Sequence, residues 1–406
     1  MKILLVNKFY YPRGGAERYF FLLKEMLEKS GHTVIVFSMQ DDRNLPSPYS
    51  RFFVSHVDFD RVRFDWQGVR TAGRMVYSFE ARRKLEQLIK EEKPDIAHLF
   101  NIYHQISPSI LPVLKRHRIP VVQTLFDMKL LSPNYLLYAH GGICEHGKGF
   151  RYYECAFHRC IKGSFVASAL AAIEMYFHKL AGFYEKNVET FIVPSHFLLE
   201  KLREWRVRIR DVRVIPNFID VPKETPLSVG SDILFFGRLS EEKGVEDLVV
   251  AAQGLPYPVT IVGSGPQEAF LKKRASALGA TNITFLGFVS DDVLDQHIRE
   301  SRLVVVPSRC YENMPLSILE AFARKKPVIA PSLGSMPELV QPGKTGLLYT
   351  PGSPDDLREK ILTLAENETV MKQYSENAYR FVQRFSAERF YQDVSKVYEE
   401  LLSRHR

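Results

Sequence analysis

The sequence predicts an α/β protein built from two doubly wound domains, on three observations. Short apolar runs alternate with amphipathic helical stretches through both halves of the chain. Glycine-containing loops follow several of those runs. The alternation also restarts after Pro216-Asn217, once a stretch at 221–231 has passed with three Pro or Gly and no apolar period. At 406 residues the chain exceeds one ordinary core.

Ile3-Leu4-Leu5-Val6 is bounded by polar Asn7-Lys8, so a buried strand is expected over 2–7. The run is too short for the apolar region of a secretory signal. A loop at Gly14-Gly15, a helix over 16–30 closed by Gly31 and a strand over 33–38 complete a strand–helix–strand unit. Such units pair their strands in parallel through a right-handed crossover. Helices are expected at 81–92 and 109–117, with strands at 96–100, 121–125, 191–193 and 212–215. In the second half, strands at 233–236, 259–262, 283–286, 303–306 and 327–330 alternate with helices near 245–252, 266–278, 291–299 and 316–324. The stretch 371–402 reads as strongly helical. Two alternating series imply two domains facing across a cleft, with ligands at the carboxyl ends of the strands. The expected division is 1–215, a linker at 216–231, a second domain at 232–375, and helices over 376–406 that cross back to the first domain.

Composition narrows the function. With 45% hydrophobic and 12% aromatic residues the chain folds. Its longest apolar stretch, 165–184, contains Glu174, His178 and Lys179 and makes a poor membrane span. It reads as a packed helix or as a helix pressed into a bilayer interface, and packing is the expectation. A cytoplasmic protein follows, peripheral on the inner face of the plasma membrane. The net charge of +8 is uneven: residues 1–220 hold 33 Lys or Arg against 23 Asp or Glu. An anionic membrane face suits that excess, as does a solvated basic surface. Six bases between Lys201 and Arg213 read the same way. No nucleic-acid module is recognisable, so nucleic acid is not an expected partner.

Cys144, His146, Cys155, His158 and Cys160 fall close together. They suit either zinc or a reduced, partly buried loop. Gly147 stands where a Cys-x2-Cys knuckle would place its second thiol, which favours the loop.

The chemistry concentrates in the second half. Cys310-Tyr311-Glu312-Asn313-Met314-Pro315-Leu316-Ser317 follows a strand and opens a helix. The first-turn N–H groups lack helical partners and, with the helix dipole, suit a diphosphate. Glu312 and Glu320 lie about 12 Å apart if the intervening residues are helical, which sets a carboxylate at each end of a nucleotide-sugar. Arg238 and Lys243 flank a turn after strand 233–236 and suit a pyrophosphate leaving group. Val262-Gly263-Ser264-Gly265-Pro266 lacks the third glycine of a dinucleotide fingerprint. The paired Gly14 and Gly15 let backbone approach a ligand closely.

In order and spacing, the Gly-Gly loop, Ile215-Pro216-Asn217, Gly237-Arg238 through Lys243-Gly244, Val262-Gly263-Ser264-Gly265-Pro266 and the Glu312–Glu320 segment resemble glycosyltransferase family 4. These are retaining enzymes of GT-B fold, and the resemblance covers nearly the whole chain. It implies a hexosyltransferase that uses a UDP-, GDP-, ADP- or dTDP-sugar and requires no metal or other cofactor. The acceptor would be lipid-linked or a polysaccharide of cell-envelope or exopolysaccharide type. The alternative is a catalytically weak or silent sugar-nucleotide binder. Arg238 and Lys243 would hold the diphosphate, Glu312 the reacting face of the sugar, and Glu320 the ribose hydroxyls. Backbone at Asn313, Met314, Leu316 and Ser317 would bind sugar and phosphate. Phe288 and Val289 would border the base, Gly265 would lie on the donor side, and Gly14 and Gly15 would close over the phosphates. Relatives often carry His where this chain has Phe100 and Phe126. His98, His104 or Asp127 would then serve the acceptor side, or the sugar differs.

Overall fold

The computed structural model describes residues 1–57 and 73–405. Its strands are β1 (Lys2–Val6), β2 (Thr33–Phe37), β3 (Ile96–Leu99), β4 (Val121–Thr124), β5 (Tyr138–Ala139), β6 (Gly142–Ile143), β7 (Thr190–Val193), β8 (Asp211–Val214), β9 (Ile233–Phe236), β10 (Val259–Val262), β11 (Ile283–Gly287), β12 (Leu303–Val305), β13 (Val328–Pro331) and β14 (Gly346–Tyr349). One six-stranded sheet runs β2-β1-β3-β4-β7-β8 and the other β11-β10-β9-β12-β13-β14. Every pairing within these two sheets is parallel. Strands β5 and β6 form a separate antiparallel pair.

Continuous apolar strands are what helix-covered parallel sheets require. Ile3, Leu4, Leu5 and Val6 are all fully buried, with Leu4 paired to Ile35 on one side and Ala97 on the other. In the second sheet the two-residue strand period sorts side chains between two cores. Ile233, Phe235, Leu303 and Val305 enter one; Leu234, Phe236 and Val304 enter the other.

The chain forms two compact units. The first comprises 1–135, 145–216 and 388–406, and the second 136–144 and 217–387. The stretch expected as a linker is packed into the second unit: Thr225 Oγ1 donates to Ala323 O at 3.1 Å, and Lys326 Nζ to Ser228 O at 2.8 Å. The C-terminal helical stretch is broken. Glu368–Val382 and a short 3-10 turn end at Ser386, whose backbone is extended (φ −71°, ψ 155°), and Ala387–His405 begins a new helix. That last helix buries Phe390, Val394, Val397, Tyr398 and Leu401. Its Arg213–Glu400 ion pair, at 3.1 Å, and its His32–Tyr391 hydrogen bond, at 2.8 Å, fasten it within the first unit.

Candidate active site

In the second unit β9 lies between β10 and β12. Counted from β9 the strands run 3-2-1-4-5-6, so successive connections leave in opposite directions there and the carboxyl-end loops open a crevice. These loops are tied to one another. Leu239 N donates to Ser264 O at 3.0 Å, Gln267 N to Leu239 O at 2.9 Å, and Gly263 N to Gly287 O at 2.7 Å. Gly263 (φ +133°) and Gly265 permit this approach, because a Cβ would overlap Gly237 O at the first and Leu239 O at the second. The glycines thus serve loop-to-loop packing.

Glu312 stands on the loop after β12. Its Oε1 accepts from Lys243 Nζ at 2.6 Å and from Ser308 Oγ at 2.8 Å. Burial by itself would raise this carboxyl. Lys243 and Ser308 outweigh burial and hold it below the usual carboxylate range. Burial would likewise lower Lys243, but Glu312 reverses that and keeps the ammonium charged. Lys243 is therefore engaged by Glu312 rather than standing as an independent cation beside the turn. Arg238 is exposed, and its guanidinium has no hydrogen-bond or ion-pair partner among the described residues. Arg309, close by in sequence, is committed to Asp247 and Glu246. Burial pushes the Cys310 thiol up, so it stays protonated.

The helix Leu316–Ala323 begins four residues after Glu312, with Pro315 as its N-cap. Asn217 Nδ2 donates to Met314 O at 3.3 Å, which fixes the peptide leading into the helix. Arg238, Lys243, Gly265, Glu312, Asn313, Met314, Leu316 and Ser317 therefore all sit on loops or a helix start after β9, β10 and β12. Glu320 lies further along the same helix. Phe288 and Val289 follow edge strand β11, and Phe288 is 83% exposed.

Gly14, Gly15, His98, His104 and Asp127 belong to the first unit. Gly14 is the N-cap of the helix Gly15–Lys29 and carries no side-chain cap. His98, one of three residues named for the acceptor side, has both ring nitrogens engaged. It is fully buried, with Nδ1 bonded to Tyr398 Oη at 2.6 Å and Nε2 to Thr124 Oγ1 at 2.7 Å. Its ring stacks on Phe100 at 4.5 Å, Phe100 stacks on Phe126 at 5.9 Å, and Tyr19 closes on Phe126 at 4.9 Å. Both phenylalanines are thus members of one aromatic stack. Burial lowers His98 to about 3. Between about pH 6.5 and that value the unfolded imidazole binds a proton that the native one refuses. Stability is therefore expected to fall with decreasing pH across this window, by at most about 1.4 kcal/mol per pH unit. Urea midpoints measured against pH for the wild type and His98→Asn check this, the variant showing a shallower slope by up to one proton's share.

The sequence reading missed a buried charged cluster in the first unit. Glu174 accepts from Lys129 Nζ at 2.7 Å, with His104 Nδ1 at 3.3 Å and His178 Nδ1 at 3.6 Å. Glu174 and Lys129 are 0% and 2% exposed. A charge inside an otherwise apolar helix demands a buried partner, and that was the available signal. Asp127 lies just past β4, with Oδ1 accepting from Lys129 N at 3.0 Å, and burial raises its carboxyl. Lys8, whose ammonium is lowered by burial, adds to this group through its charge on Asp127.

The cysteines, read as suiting either zinc or, preferably, a reduced and partly buried loop, are buried and joined in no disulfide among the described residues. Among the described residues, the ligand atoms within 4.8 Å of one another belong to His146, Glu154 and His158, and Cys144, Cys155 and Cys160 join no such group. The two imidazoles stack at 3.7 Å and 9°, so their nitrogen lone pairs lie in separate, nearly parallel planes, which is poor geometry for sharing one ion.

Two parallel six-stranded sheets with flanking helices define a GT-B protein. The family model described as Glycosyltransferase Family 4 matches residues 13–223, and Glycosyl transferases group 1 matches 223–381. The chain belongs to glycosyltransferase family 4. It is 36% identical over 228 residues to an uncharacterized glycosyltransferase of Methanocaldococcus jannaschii, a match spanning 56% of this chain and 63% of that relative's length. It is 25% identical to the O-antigen chain mannosyltransferase C of Escherichia coli over 99% of both chains. Its fold is similar to that of Anabaena HepE, solved in complex with UDP and glucose, with a TM-score of 0.69, 21% identity and coverage of 98% of this chain and 100% of that one.

Proposed function

We propose that the chain transfers a sugar from a nucleoside diphosphate carrier to a lipid-linked or polysaccharide acceptor in cell-envelope or exopolysaccharide assembly, retaining the anomeric configuration. The observation that carries this is Glu312 held ionised by Lys243 and Ser308, four residues before a helix start, with Arg238, exposed and unpaired among the described residues, on the loop after the neighbouring strand β9. Arg238 and the first-turn N–H groups of Leu316 and Ser317 grip the diphosphate. Lys243 offsets the charge that grows on the leaving phosphate. Glu312 accepts from sugar hydroxyls, and Glu320 from the vicinal ribose hydroxyls. Phe288 offers an exposed ring to the base. In the first unit Asp127, with its raised carboxyl, is the candidate to receive the acceptor proton, and His104 adjoins through Glu174. The O-antigen mannosyltransferase supports a polysaccharide acceptor, and the Anabaena complex supports a uridine carrier.

A second reading, a silent sugar-nucleotide binder, draws on the stack that places Phe126 beside Phe100 and Tyr19 in place of an imidazole. One experiment separates the two. Thermal shifts against UDP-, GDP-, ADP- and dTDP-sugars identify the donor, since a ligand at a hundred times its Kd stabilises by about 2.7 kcal/mol. Sugar release from that donor without acceptor is then followed. The enzyme reading expects slow release that Glu312→Ala abolishes. Binding with no release, and no transfer to any glycan acceptor, contradicts it.

A further inference from the structure

The helix Phe165–Ala181 packs inside out. Its buried face carries Ser168, Glu174 and His178 beside Ala171, Ala172 and Met175. Lys129 and His104 meet Glu174 there, so the polar side chains of this helix are used inward. The opposite face exposes Val166, Ile173 (60%), Phe177 and Leu180 (84%). Intervals of seven, four and three residues set them in one stripe along the helix. Phe165 prolongs the stripe at its N-terminal end, and the exposed Phe157 (71%) stands 6.4 Å from Phe165, ring to ring. Exposed Tyr153 continues the line, 6.3 Å from Phe157. An apolar surface this continuous marks an interaction site.

The charges around the stripe select its occupant. From Phe157 to Gly182 the sole acid is Glu174, which is fully buried, while Arg159, Lys162 and Lys179 lie at the two ends. The bases at the N-terminal end are Arg159 and Lys162, while Lys179 at the other end is paired with Glu185 at 2.6 Å; over 148–186 six Lys or Arg stand against three Glu, so the surroundings of the apolar stripe are net positive. A second copy docking by two-fold symmetry would set those bases against their own equivalents, which costs affinity. Anionic lipid headgroups meet them favourably. No helix among the described residues is long and apolar enough to cross a membrane.

We propose that Phe165–Ala181, with Tyr153 and Phe157, is a bilayer-docking surface. Phe157, Ile173, Phe177 and Leu180 enter the acyl boundary, and Arg159 and Lys162 rest on headgroup phosphates. The surface is independent of the sugar-transfer reading, because vesicle binding needs no substrate.

The test floats the full chain with phosphatidylcholine vesicles that contain or lack phosphatidylglycerol. The wild type is expected to float with the anionic vesicles and to be released by salt. Ile173→Asp/Leu180→Asp is expected to reduce partition about tenfold or more, since two buried side chains are withdrawn from the boundary. Arg159→Glu/Lys162→Glu is expected to abolish the preference for anionic lipid. Both variants change exposed positions, so an unchanged thermal melt confirms that the fold is intact. Leu180→Trp reports insertion directly, by a blue shift and by quenching from brominated lipid. The proposal is overturned if the wild type stays unbound with anionic vesicles, or if the apolar variant floats as the wild type does. It is equally overturned if sedimentation shows a dimer that the apolar variant turns into monomer while neither protein binds vesicles.

Discussion

Lys243→Ala is expected to lower kcat/KM about a thousandfold, the upper end of what removing one preorganised charge-stabilising donor costs. The large effect follows from two simultaneous losses. The diphosphate loses a cation as its charge develops. Glu312, whose side chain is 15% exposed, also loses its 2.6 Å partner and keeps only Ser308. With Lys243 gone, burial prevails and raises the carboxyl that the ion pair had depressed. The acid limb of the kcat profile is therefore expected to move to higher pH in Lys243→Ala. Lys243→Arg keeps the charge and is expected to recover part of the rate. Because the two residues act as a pair, Lys243→Ala/Glu312→Ala should be far less than additive. Steady-state kinetics on the four proteins check this, and full additivity would show that the two residues act separately.

Glu174→Ala is expected to be the most destabilising single change in the first unit. It strands the Lys129 ammonium, 2% exposed, without a counter-charge. Breaking such a buried pair from one side costs about 3–5 kcal/mol, or roughly 6–20 °C in Tm for a unit of this size. Lys129→Met/Glu174→Leu removes both charges and should recover most of that loss, which an isolated cavity would not allow. The pH dependence has a definite sign. Burial would raise the Glu174 carboxyl, but His104 and Lys129 outweigh it and leave it far below its ordinary value. Its contribution is complete above about pH 4.3, where the unfolded carboxylate is ionised, and is lost as pH falls from there toward the folded-state value. Calorimetry of both variants between acid and neutral pH reads the magnitude and the slope together.

What the sequence disclosed follows from what periodicity encodes. Ile3 to Val6 and Ile233 to Phe236 are buried on both faces, so each strand is an unbroken apolar run. The loops proposed for the donor were legible as candidates because β9, β10 and β12 end in residues whose types carry a chemistry: cations, paired glycines and a glutamate before a helix. Partners distant in sequence were not legible. His98 looked available for catalysis until Tyr398, three hundred residues on, took its Nδ1. Lys243 and Glu312 were assigned separate roles because nothing local reports their 2.6 Å contact. The break at Ser386 was hidden for a different reason. Apolar residues recur at helical spacing on both sides of it, and one extended residue leaves that spacing almost unchanged. The apolar content of 165–181 pointed to a packed helix, because composition does not record which face a buried Glu174 will claim.

Diffraction from crystals soaked with the nucleoside diphosphate that gives the largest thermal shift tests the central claim most directly. The account predicts phosphate oxygens about 2.7–3.2 Å from the Arg238 guanidinium and from the backbone nitrogens of Leu316 and Ser317, with the ribose hydroxyls on Glu320. Density for the nucleotide elsewhere on the second unit, with Arg238 and that helix start left bare, would contradict it.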